Sequence, residues 1–98
     1  MSEKRAAVVI GHITVKDPQK WAEYCSRVPA TIAPWNAELV FRGKRVEVLG
    51  GTHERSDTVV LRFPDIAAAN GWFRSAAYQA LLPLRHEAAE VDLISFEG

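Results

Sequence analysis

Arg85 is the side chain whose position in this sequence most needs a chemical explanation. It follows Tyr78 and Leu81 at helical spacing, so it falls on the apolar stripe of a predicted helix. A guanidinium there can clamp the carboxylate of a small ligand, because its fork of N–H donors matches two oxygens. It can instead pair with Glu47, Asp92 or the C-terminal carboxylate, or extend its head into solvent. Because buried charges usually have partners within the protein, the sequence favours the internal ion pair.

Two tyrosines and a tryptophan could line a pocket beside this arginine. Tyr24 and Tyr78 each lie on an apolar helix face and could direct a hydroxyl toward a ligand. Each could also be a core residue whose polar tip reaches the surface, and the sequence favours that alternative. Trp72 shares an apolar helix face and is interpreted as a core or interface anchor. We predict that any ligand contacts come from Tyr24, Trp72, Tyr78 and Arg85.

His12 is the candidate catalytic residue. It alternates with Val8 and Ile10 along a predicted strand, which places it on the same strand face as two apolar side chains. A histidine there could point into the interior and act as a general base near neutral pH. A hydrogen-bonded histidine of the core or of an interface is the alternative, and the sequence favours it.

The sequence contains no motif for a metal ion or a phosphate group. His53 with Glu54, and His86 with Glu87, lack the spacing of a zinc site. The glycines at 43, 50 and 51 lack the spacing and the following helix of a phosphate-binding loop. We therefore predict no metal and no cofactor, and keep a haem bound by a histidine as a less favoured alternative.

The charge balance argues against two broad classes of partner. The chain has 98 residues, with 12 basic and 12 acidic side chains and no net formal charge at pH 7. It therefore has no broad field that would attract nucleic acid or an anionic membrane. The single cysteine, Cys25, rules out an internal disulfide and is typical of a cytoplasmic protein. We interpret the short N-terminal apolar run, which contains His12, as a strand rather than a signal peptide.

Four predicted strands carry or flank these candidate residues. They cover residues 7–15, 38–42, 58–63 and 91–96, and the second continues in extended form over 45–49. With the helices between them, the order is β-α-β-β-α-β. This is the α+β, ferredoxin-like pattern, in which both helices cover one face of a four-stranded antiparallel sheet. The length predicts a single domain over residues 1–98.

The predicted helices have recognisable starts. Asp17 is the expected N-cap of the first helix and Pro18 its first residue. Pro29 should kink or divide that helix, because proline removes a backbone hydrogen bond. Ser75 is the expected cap of a further helical turn, in which Pro83 should cause another kink.

The predicted strands have apolar side chains on both faces. In the first strand, Val8 and Ile10 alternate with Val9, and in the second Leu39 and Phe41 should share a face. Two helices can cover only one face, and a bare apolar face would forgo several kcal/mol of burial. The simplest cover is a second copy related by a two-fold axis. We therefore predict a homodimer through the open sheet face, a dimeric α+β barrel, with a loosely covered monomer as the alternative.

An ordered set of short motifs resembles the domain-of-unknown-function family 1330 over almost the whole chain. These motifs are Asp17-Pro18, Tyr24, Phe41-Arg42-Gly43, residues 47–51 and 60–64, Ala69, Trp72, Ser75, Tyr78-Gln79, Arg85 and Glu97-Gly98. The chain departs from the family pattern at Ser75-Ala76 and at Trp35-Asn36-Ala37. The resemblance implies a ferredoxin-like fold in the dimeric α+β barrel superfamily, but no established reaction. Related branches include small monooxygenases, lactone isomerases, haem-binding enzymes and stress-response proteins, a likeness of fold rather than of function.

The sequence thus leads to a functional expectation and two rivals. We expect a small cytoplasmic homodimer that binds a small organic molecule in a pocket between sheet and helices, with a carboxylated molecule as one candidate. The first rival is a cofactor-independent isomerase or oxygenase, with His12 as base and Arg85 holding an anion. The second is a structural dimer with no ligand chemistry.

Overall fold

The computed structural model of the protein describes residues 5–98. Its elements follow one another in the order β-α-β-β-α-α-α-β. They are β1 (Ala7–Val15), α1 (Pro18–Ile32), a 3-10 turn (Ala33–Trp35), β2 (Glu38–Lys44), β3 (Asp57–Phe63), α2 (Ile66–Arg74), α3 (Ala76–Gln79), α4 (Leu82–Ala88) and β4 (Ala89–Glu97). The second predicted helix is therefore three short helices in series.

The four strands form one antiparallel sheet in the order β2-β3-β1-β4. Strands β1 and β3, first and third in the chain, lie in the centre, as the ferredoxin-like prediction requires. Burial alternates along β1: every second residue from Ala7 to Ile13 is buried, whereas those between are half-buried. The helices thus cover the face that carries Val9, and the predicted fold is confirmed.

Local signals explain where the helices begin. The Asp17 carboxylate accepts hydrogen bonds from the backbone N–H groups of two residues in the first turn of α1. Ser75 caps α3 in the same way. Pro29 neither divides nor ends α1, which continues to Ile32 although the proline removes one backbone hydrogen bond. Pro83 lies in the first turn of α4, where a missing N–H costs little, so it begins a helix rather than kinking one.

The core lies between the sheet and the helices. Its largest fully buried side chains are Trp72, Tyr78, Phe63 and Ile13. The Trp72 indole N–H donates to the Thr31 hydroxyl at 3.0 Å, which pairs the polar atom of a side chain that is 1% exposed. Helix α2 is thereby tied to α1.

A β-bulge in β2 reverses which face of the sheet its later side chains occupy. Leu39 pairs with Leu61, but Phe41 pairs with Val60, one residue further along β3, so one extra β2 residue is accommodated between them. Leu39 therefore faces the helices and Phe41 the opposite side, and the prediction that they share a face was wrong. After the bulge, Arg42 lies on the helix-covered face, opposite Val59.

The segment after β2 leaves the sheet. Strand β2 ends at Lys44, and residues 45–56 form a long connection to β3. Val46 is 98% exposed and Leu49 is 92% exposed, so this connection presents apolar side chains to solvent. The predicted extension of β2 over 45–49 is not part of the sheet.

The sheet face opposite the helices is apolar and uncovered in a single chain. Ile10 pairs with Val60 on one side and with Ile94 on the other, so the three form a row across β3, β1 and β4. Phe41 and Phe96 lie on the same face and are 57% and 47% exposed. We call this surface the open face.

Within residues 5–98, no helix combines enough length with enough hydrophobicity to span a bilayer.

Candidate functional site

A cleft lies between α1 and the helix-covered face of the sheet. Most of its wall is apolar and comes from α1, α2 and all four strands. Prominent wall residues are Trp21, Val28, Leu39, Val59, Trp72 and Leu93. Its cavity volume is about 70 Å³. By the same measure one water molecule needs roughly 10–15 Å³, so the cleft has space for several waters or a small organic molecule.

Four side chains bring polar or reactive atoms to the cleft: Tyr24, Cys25, Arg42 and Asp57. Burial raises the pKa of the Cys25 thiol, Arg42 lowers it and Asp57 raises it. The thiol is therefore mostly protonated and a poor nucleophile near neutral pH. Arg42 and Asp57 give the cleft one charge of each sign.

Tyr24, Tyr78 and Arg85 form a hydrogen-bonded chain that leads away from the cleft. The two tyrosine hydroxyl oxygens are 2.8 Å apart, and Arg85 Nη1 donates to the Tyr78 oxygen at 2.8 Å. Tyr78 is fully buried and its ring lies 4.2 Å from that of Trp72, centroid to centroid. Three of the predicted ligand-binding residues thus form one polar network, beside the wall formed by the fourth.

Burial raises the pKa of Tyr24 far above its ordinary value, an effect that the Arg85 charge only partly offsets. Tyr24 therefore stays protonated at any physiological pH. It can donate a hydrogen bond to a molecule in the cleft, but it cannot act there as a general base.

Arg85 lacks the carboxylate partner that the sequence favoured. Among residues 5–98 it forms no ion pair, and its Nε is buried without a hydrogen-bond partner. Asp92, one of the candidate partners, instead contacts Arg55 at 3.4 Å. The tyrosine hydroxyl is thus the acceptor that the structure shows for this guanidinium.

His12 lies on the open face, separated from the cleft by the sheet. Its Nδ1 is 3.4 Å from the Thr58 hydroxyl, and its ring is 4.8 Å from that of His53, centroid to centroid. It lines an open groove of about 520 Å³ along the edge strand β4, to which Arg85 also contributes. The structure therefore does not bring His12 to Tyr24 and Trp72, the two predicted site residues that line the cleft.

Sequence reasoning missed two cleft residues, Arg42 and Asp57. Arg42 ends the second predicted strand and is not among the predicted site residues, but the bulge after Leu39 places it on the face that lines the cleft. Asp57 begins β3 opposite Ile13 and lines the cleft, although the sequence placed it in the preceding loop. The neighbouring Gly43 allowed a bulge, but a linear pattern could not locate it.

No set of three or more histidine, cysteine, aspartate or glutamate side chains within the described part of the chain is arranged to hold a metal ion.

Solved structures show that the fold recurs in other proteins. A protein of unknown function from Rhodopseudomonas palustris has a TM-score of 0.80 and 14% identity, with 98% of this chain and 84% of that chain covered. SnoaB, a cofactor-independent oxygenase from Streptomyces nogalater, has a TM-score of 0.70 and 13% identity, covering 96% and 93%. A dabb family protein with a ferredoxin-like fold from Mesorhizobium loti has a TM-score of 0.63 and 9% identity, covering 95% and 96%. At these identities the likeness shows the ferredoxin-like α+β fold of a single chain alone.

Sequence comparison gives the family. No curated protein is significantly similar to this chain. The sequence profile of the domain of unknown function DUF1330 matches residues 6–98. Because the match covers nearly the whole chain, the resemblance predicted from the short motifs is confirmed, and the protein belongs to the DUF1330 family.

Proposed function

We propose that this protein binds a small, largely apolar organic molecule in the cleft between α1 and the sheet, and that it does so as a cytoplasmic homodimer. The observation that carries the proposal is the cleft itself, which is walled by apolar side chains from several elements and has few polar groups. Such a composition is typical of small-molecule sites, where apolar walls supply affinity and a few polar atoms fix orientation.

Aromatic ligands suit the cleft best. Trp21 and Trp72 both contribute to its wall, and the Trp21 ring stacks on that of Tyr24 at 5.1 Å. Flat rings on the ligand could pack against these faces with the offset or edge-on geometry that aromatic pairs prefer. Because the Trp72 N–H is already bonded to Thr31, Trp72 would offer packing rather than a hydrogen bond.

The homodimer is supported by the open face. Ile10, Val60 and Ile94 form an apolar row across it, and the two exposed phenylalanines flank that row. A second copy meeting it about a two-fold axis would cover both open faces with one interface. The exposed Val46 and Leu49 of the connection after β2 add apolar surface that the same partner could cover.

A cofactor-independent enzyme is the second candidate, because a residue with a carboxylate, Asp57, lines the cleft. An isomerase or oxygenase of this class first removes a proton from its substrate, and a carboxylate can accept it. The similar structure of SnoaB, itself a cofactor-independent oxygenase, makes this chemistry worth testing. His12 could be the base only for a substrate in the groove along β4, since it lies on the other side of the sheet.

A library of small aromatic ketones, lactones and carboxylic acids tests the binding proposal. Bound ligands should raise the melting temperature and slow the reaction of Cys25 with a thiol reagent, because this single cysteine lines the cleft. Val28→Trp should abolish both effects by filling the cleft, whereas Ala30→Trp on the exposed side of α1 should preserve them.

Two results would contradict the proposal. One is a library in which no compound protects Cys25 or shifts the melting temperature. The other is a compound that binds equally well to the Val28→Trp protein, since it would occupy another site. Turnover of any bound ligand, lost in Asp57→Asn while binding persists, would favour the enzyme.

A further inference from the structure

We infer that Arg85 fixes the direction of the hydrogen bonds in the tyrosine chain, so that Tyr24 offers an O–H donor to the cleft and selects neutral ligands with a carbonyl oxygen. This inference rests on the proposed function and specifies its ligand class. It also gives Arg85 a role as a positioning residue that acts through Tyr78.

The direction follows from donor and acceptor counts. A guanidinium has donors only, so in the contact of Arg85 Nη1 with Tyr78 the phenol oxygen must accept. The Tyr78 hydroxyl then has one hydrogen to donate, and the oxygen of Tyr24 lies 2.8 Å away. If Tyr24 were the donor, the Tyr78 hydrogen would have no acceptor among residues 5–98. Since Tyr78 is fully buried, that arrangement would leave an unpaired O–H away from water, so Tyr78 donates.

The consequence reaches the cleft through Tyr24. Its oxygen accepts from Tyr78, so its own hydrogen remains, and no side chain or backbone oxygen within the described residues accepts it. Tyr24 is 8% exposed and lines the cleft. We therefore assign the cleft as the place where this hydrogen meets an acceptor. The positive charge at the far end of the chain polarises both hydroxyls and strengthens the terminal donor.

A neutral acceptor fits this donor better than a carboxylate. The remaining wall is largely apolar, and moving an ionised carboxylate from water into it would cost more than one hydrogen bond returns. The carboxylate of Asp57, which lines the cleft, would also repel a bound anion, although the positive charge of Arg42 opposes that repulsion. A ketone, aldehyde, lactone or quinone oxygen accepts the O–H without that desolvation cost.

Acetophenone and α-methylstyrene test the inference, because they have the same shape and differ in C=O against C=CH₂. Their affinities for the full chain and for Tyr24→Phe would be measured by NMR titration. For each protein we take the ratio of the acetophenone affinity to the α-methylstyrene affinity. Comparing this ratio between the wild type and Tyr24→Phe cancels the difference in hydrophobic transfer between the probes. We expect the preference for acetophenone to fall roughly 3- to 10-fold in Tyr24→Phe, the effect of losing one hydrogen bond. Arg85→Met should also lower it, because Tyr24 can then donate to Tyr78 instead.

A second measurement needs no variant. The C=O stretch of ¹³C-labelled acetophenone should move to lower frequency on binding if its oxygen accepts a hydrogen bond. An unchanged affinity ratio in Tyr24→Phe, or an unshifted C=O band in the wild-type complex, would overturn the inference while leaving cleft binding intact. If neither probe binds while other library compounds still protect Cys25, the inference fails and the proposed function stands; if no compound binds, both fail.

Discussion

Ile94→Glu should dissociate the proposed homodimer. Ile94 is 43% exposed in a single chain and lies in the middle of β4, on the open face. Fully burying such a side chain contributes about 1.5–3 kcal/mol, so covering its exposed part contributes about 0.6–1.3 kcal/mol. In a two-fold dimer Ile94 is covered in both subunits, so this contribution enters twice. A tenfold change in affinity corresponds to about 1.4 kcal/mol. The lost burial alone therefore weakens the dimer by about 10- to 100-fold, and two desolvated carboxylates weaken it further.

Sedimentation equilibrium over about 1–100 μM, a range that spans a typical micromolar dissociation constant, measures this effect. The wild type should sediment as a dimer and Ile94→Glu as a single chain, with unchanged circular dichroism because the position is partly exposed in one subunit. Ala67→Glu, which adds the same charge on exposed α2 surface, should remain dimeric. A wild type with the mass of one chain throughout, or a dimer that tolerates Ile94→Glu, would refute the assigned interface.

Three further changes test how the fold is held together. Thr31→Val removes the acceptor of the buried Trp72 N–H and should lower the free energy of unfolding in urea by about 1–3 kcal/mol; no loss would mean that the bond contributes nothing. Asp17→Ala removes the cap of α1 and should cost about 0.5–2 kcal/mol in the same assay, whereas Asp17→Asn should recover most of it. The side-chain hydrogen bond and charge of Arg55 hold the pKa of Glu90 below its ordinary value. The ion pair therefore stabilises the folded protein fully at a pH above the unfolded-state pKa of Glu90. That stabilisation is lost as the pH falls through the lower folded-state pKa. The difference in melting temperature between wild type and Glu90→Gln should therefore narrow as the pH falls below about 4.5, the ordinary pKa of a glutamate, and a difference that stays constant in acid would contradict the assignment.

The sequence predicted the elements well because their signals are local. Asp17 and Ser75 cap helices where expected, since a cap depends on atoms within three residues of it. Alternation along β1 separated one strand face from the other, but it could not show which face the helices cover. For that reason the sequence leaves His12 as a candidate for an interior site, whereas in the structure the sheet separates it from the cleft.

By itself, the sequence determined the order of strands and helices, the family, and an excess of apolar strand surface over what two helices can cover. Only the tertiary structure decided that a bulge brings Arg42 to the cleft and that Arg85 donates to Tyr78 rather than pairing with a carboxylate. The reason is the range of the interactions. Caps and alternation act between near neighbours, whereas a one-residue shift in pairing or a choice of hydrogen-bond partner depends on strands and helices far apart in the chain.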